Sequence, residues 1–142
     1  MDVLDDRDVA VSAVCEAEVL YGLKKRGSSQ LREKFERLLR GRFVVLPIDS
    51  EVAATYADLR VDCEKAGINI HGLDLLIAAT AMTHNLIVAI LNYIDFSPIP
   101  GLTVEDWSQP PAPFSMSAQQ PIKAFRRIAF FPSRLRHCAR LN

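Results

Sequence analysis

Two carboxylates stand out in this 142-residue chain because of the text around them. Glu18 sits in an otherwise apolar helical stretch, about one turn after a short β-prone run. Asp74 opens an alanine-rich segment just after a loop, with Leu75, Leu76 and Ile77 immediately behind it. A carboxylate there gains from a helix N-terminus and can cap it. Two carboxylates brought together from distant sequence repel each other unless a proton or a cation lies between them. Mg²⁺ suits such a pair, since it takes oxygen ligands, one or two of them carboxylates, and leaves positions for water and substrate phosphate. An ion so held lowers the pKa of a bound water and offsets charge on a phosphodiester. The plainer alternative is a capping aspartate and a glutamate at the rim of a helix.

The elements that must position these acids follow from periodicity. Val9-Ala10-Val11 is a short β-prone run after an acidic start. Val14, Ala17, Leu20, Tyr21 and Lys24 recur at helical steps up to Arg26, and Gly27 suits the position just past the helix. Leu31, Phe35, Leu38 and Leu39 predict a second amphipathic helix, stopped at Gly41. Phe43 to Leu46 reads as a buried strand ended by Pro47, after which Asp49 or Ser50 caps a helix closed by Gly67. Leu73 to His84 is apolar nearly all round and so central; Leu86 to Leu91 and Leu102 to Val104 are apolar strands. Helices alternating with apolar strands predict an α/β domain with a mainly parallel sheet. Such sheets bind ligands at the carboxyl ends of their strands, where Glu18 and Asp74 would stand.

Composition divides the chain. All 17 acids lie at or before Asp106, whereas Lys123, Arg126, Arg127, Arg134, Arg136 and Arg140 lie after it. Residues 108–121 are rich in Pro, Ser, Ala and Gln and read as linker, followed by a basic tail with Phe125, Phe130 and Phe131. We therefore expect one domain over residues 1–107, then a poorly ordered linker and tail over 108–142. No apolar run approaches the roughly 20 residues needed to span a bilayer, and no signal segment opens the chain, which predicts a cytoplasmic protein without a membrane role. Cys15, Cys63 and Cys138 are far apart and read as small buried hydrophobes rather than metal or redox ligands.

Three blocks carry a family resemblance. DVAVSAVCEAEVLYG (residues 8–22), IHGLDLLIAA (70–79) and FSPIPGLTVEDW (96–107) occur in the order and spacing of VapC-type PIN domains, and together they cover residues 8 to 107. The resemblance implies a PIN-like three-layer α/β sandwich. It implies an Mg²⁺- or Mn²⁺-dependent endoribonuclease acting on single-stranded RNA or tRNA, and leaving 5′-phosphate and 3′-hydroxyl ends. It also implies a toxin partnered by an antitoxin and a frequent homodimer. Glu18 matches the family's second acid and Asp74 its third, both as metal ligands.

The departures are equally specific. In the family an earlier strand ending in Asp, with the helix after it, precedes the block that here starts at Asp8. Only seven residues stand before Asp8, fewer than the roughly dozen a parallel crossover needs. The first, central strand, the first helix and the first acid are therefore expected to be missing. Unpaired backbone would be left between the strands at Val9–Val11 and Leu86–Leu91 unless a foreign chain or the tail pairs there. The family's polar motif after the fourth strand falls on Ile90, Leu91 and Asn92, and of these only Asn92 can hold a water or phosphate.

Other features carry plainer readings. His71 is a solvated loop histidine or a phosphate donor, and Lys24-Lys25-Arg26 a solvated helix end or an RNA backbone contact. The stripe on the second helix is core, or part of an antitoxin groove. The tail has the composition of an RNA-binding arm, or is out-of-frame text. The sequence thus predicts a VapC-like ribonuclease using Glu18, Asp74 and Asn92, with activity impaired by its departures. The rival is a non-catalytic remnant that binds an antitoxin or an intact toxin.

Overall fold

A computed structural model describes residues 9–90, 96–106 and 128–130. Strand β1 (Val9–Ser12) runs directly into helix α1 (Ala13–Arg26). Ser12 makes the transition: it is extended, and its side chain accepts the Cys15 N–H at 3.2 Å. At the other end Gly27 adopts φ +66°, and its N–H caps the carbonyls of Leu23 and Lys24. A left-handed residue there is costly for anything bearing a Cβ. Helix α2 (Ser29–Arg42) continues through Gly41, one residue beyond the expected stop, and leads to β2 (Val44–Leu46).

Asp49, rather than Ser50, caps α3 (Ser50–Lys65), with its carboxylate accepting the Val52 N–H at 3.0 Å. The helix ends where Ile68 N–H reaches the Cys63 carbonyl at 2.9 Å and Gly67 N–H reaches that of Glu64 at 3.1 Å. This paired closure with a left-handed glycine is the Schellman arrangement. Helix α4 (Gly72–Thr83) buries Leu75, Ile77, Ala78, Ala79, Thr80 and Ala81, which explains why its sequence lacks a polar face. It packs most extensively on α3, where Thr83 donates to the Thr55 hydroxyl at 2.8 Å. Asn85, at φ 54°, closes α4 in a second Schellman arrangement, with Leu86 N–H on the Ala81 carbonyl at 2.8 Å.

Strands β3 (Ile87–Ile90), β4 (Val104–Asp106) and β5 (Ile128–Phe130) complete the sheet. The apolar text at Leu102 forms the approach to β4 and not its body, since the strand begins at Val104 and pairs with Val88. The sheet has five parallel strands in the order β2-β1-β5-β3-β4. β5, from the tail, lies between β1 and β3, the place where backbone pairing was expected to be lacking. The order expected for the linker and the rest of the tail, and the burial of Leu38 and Leu39, lie outside the described residues. The core runs from β1 (Ala10, Val11) through Val14 and Cys15 of α1 to α4, Val88 and Ile90 of β3, and Phe96 and Ile99 of the loop beyond.

Candidate active site

In a parallel sheet the helices that follow strands begin at the carboxyl edge. α1 starts there from β1. α4 leads into the amino end of β3, so its own N-terminus lies at the same carboxyl edge. Glu18 stands in the second turn of α1, three residues after the buried Cys15 and therefore on the same face. It is half-buried, as is Asp74 in the first turn of α4.

The cap of α4 is not Asp74, as its position had suggested, but His71. His71 is extended (φ −61°, ψ 139°), its Nδ1 accepts the Leu73 N–H at 3.4 Å, and its carbonyl accepts the Leu75 N–H at 3.0 Å. With the cap taken, Asp74 occupies the third helical position, near the positive end of the helix dipole, where negative charge is favoured. The solvated-loop reading of His71 fits its exposure but misses this hydrogen bond.

The buried Cys15 thiol lies within electrostatic reach of both acids. It is pushed up from its ordinary 9.0 to about 12, mainly because burial disfavours the thiolate. A hydrogen bond from Ser12 opposes the shift, and the negative charges of Glu18 and Asp74 both add to it. One thiol thus feels a carboxylate from α1 and another from α4, helices that also touch directly. Cys15 is thus a buried free thiol held in its protonated form. Cys63 is likewise a buried free thiol, whereas Cys138 lies outside the described residues.

The pair offers hard oxygen donors, which fits a small divalent cation completed by water and substrate oxygens. Among the described residues no group of three or more His, Cys, Asp or Glu side chains gathers to enclose a metal. Asn92 and Leu91 lie outside the described residues. Ile90 is fully buried in β3 and faces the core, not a ligand. Lys24, Lys25 and Arg26 form the exposed last turn of α1. No described helix is long and apolar enough to cross a membrane.

Sequence reasoning singled out Glu18 and Asp74 and missed the two residues that set their helices. Ser12 is fully buried, and a serine directly before an apolar-periodic run is a start signal that was present in the text. His71 gave no such signal, because histidine is an uncommon cap.

Comparison with known proteins agrees with this fold. Residues 2–97 match the family model of the PIN domain. The chain is 36% identical to ribonuclease VapC1 of Rickettsia felis over 97 residues, covering 66% of this chain and 72% of that protein. It is 30% identical over 108 residues to the tRNA(fMet)-specific endonuclease VapC of Shigella flexneri, covering 74% and 80%. Among solved structures, VapBC2 from Rickettsia felis bound to a DNA fragment from its promoter superposes with a TM-score of 0.64 at 28% identity, over 69% of this chain and 74% of that one. With its parallel sheet, the match to the family model and these relatives, the chain belongs to the PIN-domain family.

Proposed function

We propose that this protein is a VapC-type ribonuclease, the toxin of a toxin–antitoxin pair, which hydrolyses phosphodiester bonds in single-stranded RNA or tRNA with the help of Mg²⁺ or Mn²⁺. The relatives named as VapC ribonucleases and endonucleases support the class of activity. The site reading is supported by the buried Cys15 thiol, which lies within electrostatic reach of both Glu18 and Asp74.

Glu18 and Asp74 would hold the cation, with Asn92 as an additional polar contact to water or phosphate. Such an ion supplies positive charge that polarises a phosphodiester and acidifies a water. The chain's own residues do the positioning. Ser12 fixes the start of α1 and hence the register of Glu18. His71 fixes the start of α4, so that Asp74 sits near the positive end of the helix dipole. The exposed Lys24-Lys25-Arg26 turn offers cations to an RNA backbone at a distance from the acids.

The partner in this reading is an antitoxin protein, as in the solved VapBC and FitAB complexes, with a homodimer as the toxin's own assembly and the cytoplasm as its place of action. A second reading keeps the partner and drops the chemistry: a remnant that binds an antitoxin or an intact toxin. The burial of Ile90 favours it, because a fully enclosed aliphatic stands where the family resemblance leads one to expect a hydroxyl. We place the present chain between the two, as an enzyme of reduced activity.

The deciding experiment incubates the purified chain with RNA in Mg²⁺, in Mn²⁺ and in EDTA, beside Asp74→Ala. Metal-dependent cleavage lost in Asp74→Ala establishes the enzyme. A folded sample that leaves RNA intact in both metals, yet binds an antitoxin, establishes the remnant.

A further inference from the structure

Glu18 and Asp74 hang from different halves of one sheet. Glu18 is fixed to β1, because Ser12 passes the strand directly into α1. Asp74 is carried by α4, which leads directly into β3 and packs on it. Between β1 and β3 lies β5, paired in parallel on both sides: Ala129 is opposite Ala10 on one flank and Val88 on the other. This joining strand lies outside residues 2–97, the part matched to the PIN domain.

We propose that residues 128–130 are a positioning strand for the acid pair: by filling the slot between β1 and β3, they set the spacing of α1 and α4, and so of Glu18 and Asp74. The proposal rests on the reading of that pair as a metal site. Neighbouring strands lie about 4.8 Å apart, so one intervening strand holds β1 and β3 roughly 10 Å apart. With the slot vacated, both flanks would present unpaired N–H and C=O groups inside the sheet. Closing the gap would bring the two halves nearer by about one strand spacing, and leaving it open would let them splay. Either movement far exceeds the roughly 0.2 Å tolerance of metal–ligand distances.

The occupant is this chain's own segment. The connection 107–127 is longer than the roughly dozen residues that a parallel crossover requires. A segment tethered in this way competes at an effective concentration in the millimolar range, well above that of a second copy in dilute solution. Its role is therefore intramolecular.

The test uses the full chain with Cys138→Ser, Ala10→Cys and Ala129→Cys. Paired Cα atoms on adjacent strands fall within the separation that a disulfide spans. Mild oxidation should yield a monomer in which peptide mapping finds positions 10 and 129 joined within one chain. A link only between chains, or no link, overturns the placement, whatever the protein does to RNA.

Spacing is read separately by Ala129→Pro, which removes a backbone donor from a central strand. Its Mn²⁺ affinity, measured by calorimetry without RNA, should fall about tenfold or more, while the oxidised cysteine pair keeps the parent affinity. Should Ala129→Pro lose its helical signal, Ile128→Gly takes its place with the same expectation. Unchanged Mn²⁺ affinity in a folded variant overturns the positioning role. If the cysteine variant forms the crosslink but the parent chain takes no Mn²⁺, the metal-site reading falls and the positioning role with it, leaving only the strand placement standing.

Discussion

Glu18 and Asp74, 56 residues apart in sequence, act on the same buried thiol of Cys15. A divalent cation held between two such carboxylates would be bound by both. Mn²⁺ or Mg²⁺ should therefore raise the Tm of the protein, since a ligand that binds only the folded form stabilises it by mass action. Glu18→Gln and Asp74→Asn should abolish that rise. Each should also weaken metal affinity by at least the roughly 10–100-fold that supporting contacts alone are worth. Glu18→Gln should leave the metal-free Tm nearly unchanged, because the half-buried side chain keeps its size. Differential scanning fluorimetry with and without metal decides it: an identical metal response in parent and variants would remove both residues from the site.

Cys15 predicts a pH dependence. Its folded-state value near 12 lies above the ordinary 9.0. Between about pH 9 and pH 12 the folded chain keeps a proton that the unfolded chain has lost. The stabilisation is thus complete below about pH 9 and is lost as the pH rises through about 12. The slope from this one group is on the order of 1.4 kcal/mol per pH unit across that window. Cys15→Ala should flatten the alkaline decline of stability in denaturant titrations, although Cys63, also raised by burial, contributes with the same sign. Maleimide labelling at pH 8 should spare Cys15 until the protein is unfolded. Prompt labelling of the native protein at that position would contradict the burial described here.

Much of this arrangement was legible in the text, for reasons that differ by element. Gly27 and Gly67 marked helix ends because only a left-handed residue closes those turns without strain. The apolar run at Ile87–Ile90 read as a strand because a parallel strand is covered on both faces. Glu18 and Asp74 stood out because charge in apolar text needs a reason. The cap of α4 was not legible, since Asp74 is a better capping type than His71 and only the backbone angles chose between them. Nor was the position of Ile128–Phe130. Three residues in basic text carry a weak strand signal, and their place follows from an open slot between β1 and β3, a property of the sheet and not of the segment.

Ser12 and Asn85 separate stability from site geometry. Ser12→Ala removes the cap of α1 and should cost about 1 kcal/mol. Asn85→Ala places a Cβ-bearing residue with no polar side chain at φ 54° and should cost a comparable 1–2 kcal/mol or so. Asn85 closes α4 at the end opposite Asp74, whereas Ser12 fixes the helix that carries Glu18. Both variants should lose a few degrees of Tm, about 3 °C per kcal/mol at this size. Only Ser12→Ala should also weaken Mn²⁺ binding. Equal metal affinity in the two would mean that the start of α1 does not set Glu18.

Ile90 tests whether the chain's departure from its relatives can be reversed by one side chain. It is 0% exposed, at the end of β3 and opposite Asp106 of β4. A threonine there would keep the β-branch but bury a hydroxyl and lose a methylene's worth of packing. Ile90→Thr should therefore cost about 1–3 kcal/mol of stability, measured by urea unfolding. Because the side chain faces the core rather than the acids, the same variant should gain no Mn²⁺ affinity and no RNA cleavage. If cleavage rose instead, the threonine hydroxyl would have to reach the acid pair. β3 would then have to turn its last residue out of the core and toward Asp74, an arrangement incompatible with the complete burial of Ile90.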